Sequence, residues 1–432
     1  MIQNNSLRLI PALLAVALSG AVQASGFQLL EQNASGIGNA YAGSAAVAEN
    51  ASTIFYNPAG MTQLRDREVS VGLTAIDTSF KFTNQGSSVG ALTGSGNGGD
   101  GGGWGFVPNG YLSWAINKDV YIGIGAGAPF GMKTEYNTPW VGAAQSTSFD
   151  VKTYNINPSV AWRVNEQVSL GAGLNWQRLE AIYKRQAGVV ALPGPIPAPA
   201  VAATSSKLTL DDDSWGWNVG ALFTVTPATK VGLSYRSQVK YDLTGKIQVS
   251  GPVAALNAAA SSNAKASLTL PETAILSVSH ALTDRVELLG DIAWTGWSSI
   301  PKLDIIRTSG VSNGALAQTL DTDFRDTWRV SLGTNYKYND AWKLKFGIAY
   351  DQTPTRGAFT RLVSMPDNDR TWFAVGAQWK PAKDAALDFG VAYLYVKDAR
   401  IDNNQTAQGR GRVTGNYADS AWVLGVQYSM AF

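Results

Sequence analysis

The chain has 432 residues, no cysteine, and 34 basic against 32 acidic side chains. That balance removes a composition argument for nucleic acid, which needs a basic excess. One histidine and no thiol leave little for nucleophile–base pairs or for thiolate and imidazole metal sites. Charged residues make up only 15% of the chain, where about 25% is usual for soluble proteins. The mean hydropathy is nevertheless near zero, which fits strands whose every second residue faces lipid.

In chain order, residues 1–24 read as an export signal. Arg8 gives a thin positive region, Leu9 to Val22 an apolar core, and Val22 and Ala24 small residues for cleavage before Ser25. The apolar run is shorter than the roughly 20 residues a spanning helix needs. Residues 25–64 do not alternate and are rich in Gly and Ala. They read as a compact plug, or hatch, ending at "FYNPAG", with Asn57, Pro58 and Ala59 as its hinge into the barrel wall.

From residue 65 to 432, apolar and polar residues alternate with period two. Segments centre near residues 75, 111, 125, 156, 174, 219, 236, 275, 292, 331, 346, 374, 392 and 425. "KVGLSYRSQVKYDL" puts Val231, Leu233, Tyr235, Val239 and Tyr241 on one face. "WKLKFGIAY" sets Trp342, Leu344, Phe346, Ile348 and Tyr350 against Lys343 and Lys345. The last segment, "WVLGVQYSMAF", ends on the aromatic Phe432, the C-terminal ending that outer-membrane barrels commonly share. Tight turns such as "NKD" and "NEQ" alternate with long loops near 84–103, 133–146, 186–212, 246–266, 303–322, 352–368 and 399–416. Short turns on one side, long loops on the other and an even strand count predict an all-β, 14-stranded antiparallel transmembrane barrel. Its strands must close on themselves, since lipid satisfies no backbone hydrogen bond. A ring of that size is wider than its own side chains fill, so the hatch has a lumen to occupy.

The segment "YIGIGAGAPFGMKTEY" alternates only as far as Ala126. Gly127, Pro129, Phe130 and Gly131 then predict a kink, read as a rim bulge or as a local gap in the wall. Parity turns Arg325, Arg329 and Arg370 inward, together with Glu287 and Asp291. The arginines pair with those acids, or one of them is free to receive a ligand carboxylate. Loops 187–204 and 251–260 carry no charge. They pack on each other or offer an apolar landing surface, and the two readings are compatible. "GIGNAYAG" lacks the third Gly and the preceding strand of a dinucleotide site. His280 reads as a rim residue, and "DDD" at 211–213 as a solvated loop base rather than a cation site. No catalytic residue, metal or cofactor is assigned.

"SGFQLLEQNASGIGNAYAGSAAVAENASTIFYNPAGMT", "GAPFGMKTEY", "DSWGWNVGAL", "LTLPETAILSVSH", "FRDTWRVSLGTNY" and "MPDNDRTWFAVG" resemble the FadL/TodX family of outer-membrane hydrophobic-compound transporters. The likeness runs over essentially the whole mature chain. It implies passive uptake of long-chain fatty acids or, as the alternative, of neutral aromatic or aliphatic hydrocarbons. The solute lands on apolar loops, enters a lumen pocket and leaves sideways at the kinked third strand. Carried over, the ligand positions are Phe27, Arg185, Arg325 and Arg370. The resemblance also implies a monomer in contact with outer-membrane lipid and lipopolysaccharide. Its assembly machinery reads Phe432. A lipid enzyme would need a Ser/His or carboxylate constellation on adjacent strands, and an adhesion barrel would need polar loops and no hatch.

Overall fold

The computed structural model describes residues 26–192 and 196–432. The export signal and Ser25 lie outside the described residues. All strands belong to one antiparallel sheet that closes on itself into a 14-strand barrel. In order, the wall is β1 (Arg67–Asn84), β2 (Gly103–Ala115), β3 (Val120–Gly127) continued by β4 (Gly131–Glu135), β5 (Ser148–Arg163), β6 (Val168–Gln186) and β7 (Ser205–Thr226). Next come β8 (Thr229–Arg236) continued by β9 (Val239–Ser250), β10 (Ser262–Leu270) continued by β11 (Thr273–Ala281), and β12 (Val286–Thr295). A hairpin of β13 (Lys302–Arg307) and β14 (Leu316–Asp321) rises beside β10. The wall resumes with β15 (Thr327–Lys337), β16 (Trp342–Asp351), β17 (Arg370–Ala382), β18 (Ala385–Val396) continued by β19 (Ala399–Gln405), and β20 (Gly411–Ala431). Closure runs from Glu68↔Ala431 to Asn84↔Gly415. Each of the fourteen alternating segments falls on one of these staves.

The alternation decides which face meets lipid. Trp328, Val330 and Leu332 on β15 and Phe373 and Val375 on β17 are exposed on the outside, while Arg329, Ser331 and Trp372 are buried inside. Two expectations need correction. First, Leu233 is exposed but Val239 and Tyr241 are buried, so they do not share a face. The stave breaks at Ser237–Gln238, and a one-residue slip turns every later side chain over. Second, Arg325 precedes β15 and is half-exposed, outside the strand whose parity assigns it an inward face. Strand parity does not extend into the loop that holds it. The long loops also hold more structure than the pattern predicts, including the β13–β14 hairpin, the upper parts of β7 and β9 and all of β19.

Residues 26–64 fold inside the ring and are mostly buried. Polar groups on the wall tie them down. Asp291 accepts from Gly43 N (2.7 Å) and from Ser44 N and Oγ (3.2 and 2.5 Å). Gln427 accepts from Ala34 N at 3.0 Å. Lys345 Nζ donates to Ser35 O, Glu49 Oε2 and Asp388 Oδ1 at 2.9, 2.7 and 3.0 Å, and Lys343 Nζ adds a bond to Glu49 Oε1 at 2.5 Å. Burial pushes the Glu49 carboxyl up, but the two lysines outweigh it and hold the group well below the usual carboxylate range. Wall glycines make room for the insert. A Cβ on Gly376 would sit 2.8 Å from the Gly38 Cα, and one on Gly347 would strike the Asn39 backbone.

Removing one partner of a buried ion pair costs about 3–5 kcal/mol, because the remaining charge loses its compensation. Lys345→Met removes the ammonium paired with Asp388 and leaves Glu49 with Lys343 alone. It is expected to lower the thermal midpoint, followed by circular dichroism in detergent. It should also raise ion conductance across planar bilayers as the hatch loosens. A wild-type midpoint and conductance would show that Lys345 does not hold the hatch.

Candidate functional site

The loop-side half of the lumen is apolar. Met132 on β4, Phe149 and Val151 on β5, Leu179 on β6, Leu210 on β7 and Tyr241 and Leu243 on β9 turn inward into one buried cluster. Phe27, at the start of the hatch, stands in it. Its ring lies 5.1 Å from Trp297 and 5.8 Å from Phe130, and Trp297 lies 5.8 Å from Phe324. Gly26 N donates to Asp367 Oδ2 at 3.0 Å, which fixes the hatch end beside the 352–369 loop. Nearer the short turns, a cleft with a cavity volume of about 50 Å³ lies between the hatch and the wall. Leu29, Tyr56, Phe130, Asn175, Arg236 and Ile275 line it. Arg236 lies over the Phe55 ring at 4.2 Å and donates to Phe55 O at 2.9 Å and to Asn175 Oδ1.

Three arginines cap the apolar cluster. Arg185, near the loop end of β6, donates from Nε to Gln318 Oε1 at 2.9 Å and from Nη1 to the carbonyls of Gln186 and Ala187. Arg410 and Arg307 lie within electrostatic reach of it. Arg410 donates to Gln405 Oε1 (3.2 Å), and Arg307 to Ala260 O and Ser262 Oγ (2.6 and 3.0 Å). Among the described residues, none of the three makes an ion pair with a carboxylate. Burial pushes the Arg410 guanidinium down from its ordinary range, and neighbouring Tyr183 opposes this. Three guanidiniums held only by neutral acceptors form an electropositive rim with donors to spare for an anion.

The wall beside the cluster is broken at the kink. β3 pairs with β2 only from Gly110↔Ala126 to Ala115↔Tyr121, and β4 pairs only with β5. Among the described residues, Gly103–Asn109 of β2 therefore have no strand partner on the kinked side. The missing ladder is replaced from inside. Leu29 N donates to Pro129 O, and Gly131 N to Phe27 O, both at 2.8 Å. Gln32 Nε2 donates to Ala128 O at 2.7 Å and its Oε1 accepts from Ala128 N at 3.1 Å. Pro129 has no N–H to lose, so the bend strands no donor there. The kink is thus a bulge and a gap at once, with the hatch as its partner strand.

A closed ring with an internal hatch and a kinked third stave is the architecture that the motifs predict. Residues 15–432 match the family described as outer membrane protein transport protein (OMPP1/FadL/TodX). The chain belongs to this family. It is 31% identical to outer membrane protein P1 of Haemophilus influenzae, with 93% of this chain and 92% of that protein aligned. It is 30% identical to the long-chain fatty acid transport protein of Salmonella typhi over 97% and 98% of the two chains. The crystal structure of a Pseudomonas aeruginosa FadL homologue superposes with a TM-score of 0.85 at 24% identity, covering 94% and 99%. The Ralstonia pickettii toluene transporter TbuX superposes at 0.69 and 17%, covering 94% and 100%. The molecule is an outer-membrane β-barrel transporter of the FadL/TodX family.

The remaining predicted positions in this FadL/TodX chain divide in two. Asn57 caps the turn: its Oδ1 accepts from Ala59 N at 3.1 Å, and its Nδ2 donates to Ala45 O and Ala221 O at 2.7 and 3.0 Å. Pro58 and Ala59 lie flat against Gly171, where a Cβ would collide with them. The "NPA" segment is therefore docked on the wall near the short turns. Arg370 is buried and inward, as parity predicts, but it forms an ion pair with Asp367. Arg325 bonds to Thr353 O and lies 3.9 Å from Asp369. Glu287 and Asp291 make no ion pair with either arginine. Glu287 accepts from Ser279 and Asn335, and Asp291 serves the hatch. The greasy loop 187–204 packs partly inward through Val189, Val201 and Ala202 and exposes Val190 and Leu192. His280 sits by the turn and shares a 2.9 Å bond with Thr229. Arg307 and Arg410 are the residues that alternation misses, because both sit at strand ends or in loops.

Proposed function

We propose that the protein takes up long-chain fatty acids passively across the outer membrane. The observation that carries this reading is the rim of Arg185, Arg307 and Arg410, which has no carboxylate partner among the described residues and sits above an apolar lumen. A hydrocarbon site would gain nothing from such a rim and would bear the cost of desolvating it. An acyl chain below the rim gains about 0.8 kcal/mol for each buried methylene, so length selects. The proposed route starts on exposed apolar loop residues, including Phe359 and Val311. It continues past Phe27 and ends sideways between β2 and the kink at Gly127–Gly131, with displacement of Phe27 and Leu29 uncovering the gap. Asn57, Pro58 and Ala59 keep the rest of the hatch anchored while its first residues move.

Export by the leader at residues 1–24, assembly through the exposed Phe432, contact with lipopolysaccharide and a monomeric state belong to the same proposal. Neutral hydrocarbon uptake is the second reading. The aromatic box of Phe27, Phe130, Trp297 and Phe324 supports it, because it needs no charge on the solute. Mass spectrometry of ligands extracted from the purified protein decides between them. Long-chain fatty acids are expected, and recovery of neutral hydrocarbons alone would reverse the choice.

A further inference from the structure

The wall is discontinuous in a second place, on β7. β7 pairs with β8 from Thr226↔Thr229 up to Asn218↔Arg236, and with β9 from Asp211↔Thr244 onward. Between these ladders, Asp212–Trp217 faces Ser237–Leu243, a stretch one residue longer, without regular pairing. Side chains bridge it: Ser237 Oγ accepts from Trp217 N at 2.9 Å, and Asp212 Oδ2 accepts from Asp242 N at 2.8 Å. Ser237 N to Trp217 O, at 2.9 Å, carries the backbone ladder one step further. The next stave is interrupted alongside, at Pro271–Glu272 between β10 and β11.

This break lies at the height of the kink. β3 and β8 are each 8 residues long and each starts at a short turn. Irregular backbone at membrane depth is tolerated where it lines a cavity, and here it does. Gly216, Trp217, Ser237 and Val239 all line the cleft between hatch and wall. The slip at Ser237–Gln238 has turned Val239 inward. A Cβ on Gly216 would lie 2.9 Å from Val239 Cγ2, so a missing side chain on one stave faces a valine on the other. Outside, Trp215 and Trp217 are exposed to lipid, and Trp217 packs on Tyr235 at 5.3 Å. Asp212, Asp213 and Asp242 border the upper edge, which disfavours a carboxylate there.

We propose that the Gly216–Val239 seam is a second lateral port, through which uncharged lipophilic solutes pass between the outer leaflet and the lumen cavity, with Val239 as its gate. The proposal rests on the transport reading but not on the fatty-acid assignment. It gives the cavity an apolar entrance separate from the arginine rim.

The chain has no cysteine, so the pair Gly216→Cys and Val239→Cys supplies the only two thiols. A Cβ at 216 would stand 2.9 Å from Val239 Cγ2, about where the sulfur of Val239→Cys would lie, so the two thiols come within bonding reach of each other. The full-length protein is placed in phosphatidylethanolamine vesicles containing a diazirine-bearing hexadecane. Photolabelling of cavity residues is then read by mass spectrometry. Labelling is expected to fall at least threefold on oxidation and to return on reduction, with the remainder entering at the kink. Val239→Ala, which needs no disulfide, is expected to raise labelling severalfold. Equal labelling of oxidised and reduced protein, or wild-type labelling in Val239→Ala, would overturn the port. Oleate binding measured on the same samples tests the fatty-acid reading separately, so the two can fail independently.

Discussion

Replacing Arg185 with glutamine is expected to weaken oleate binding about 10- to 100-fold, because a hydrogen bond to a charged group contributes about 1.5–3 kcal/mol and each 1.4 kcal/mol is tenfold. Hexadecane binding should not follow. Glutamine keeps a donor, approximate length and polarity, so the change isolates the charge and the fork. Arg185→Lys restores the charge without the planar pair of donors and should fall between the two. The effect is graded by the neighbours. Arg307 and Arg410 still supply positive potential in the single variant, so removing a second arginine should cost further affinity. Isothermal titration in detergent measures both ligands. An oleate affinity unchanged in Arg185→Gln would place the headgroup elsewhere and leave hydrocarbon uptake as the better reading.

The choice of Arg185 over Arg325 and Arg370 also shows how far sequence reasoning reached. Strands were legible because lipid contact forces alternation, and each of fourteen centres lies on a stave. Inward placement of Arg370 and Arg329 followed from Phe373, Val375, Trp328 and Val330 facing out. What parity does not carry is pairing. Asp367 reaches Arg370 from a loop, and Glu49 reaches Lys343 and Lys345 from the hatch, far away in the chain. Parity also fails wherever a residue is inserted. The face assigned jointly to Leu233 and Val239 turned over at Ser237–Gln238, and that failure marks the seam beside the cavity. Arg185 was legible only through resemblance. Arg307 and Arg410 lay beyond any periodic signal, since strand-end and loop positions have no enforced face. The greasy loops satisfied both readings, with Val189 and Val201 packed and Val190 and Leu192 exposed.

The other large effect is expected at the kink. Replacing residues 127–131 with an alternating, proline-free strand sequence should reduce oleate uptake to background while leaving oleate binding measurable. The reason is a competition for backbone partners. In the native chain, Leu29, Gln32 and Phe27 of the hatch take the hydrogen bonds that β2 would otherwise take. A straight stave offers its donors and acceptors to Gly103–Asn109 instead and closes the ladder. Two things are then lost together: the proposed exit gap, and the hydrogen bonds that hold Phe27 and Leu29 against the kink. The barrel itself should still assemble, because the other staves keep their pairing and Asn57, Lys345 and Asp291 still hold the body of the hatch. Circular dichroism and a wild-type thermal midpoint verify assembly. Uptake of radiolabelled oleate into cells carrying the variant gives the result. Binding retained with uptake lost assigns the kink to exit. Normal uptake through a straightened wall would mean that solute leaves by another path, and the seam at Gly216 and Val239 would be the first place to look.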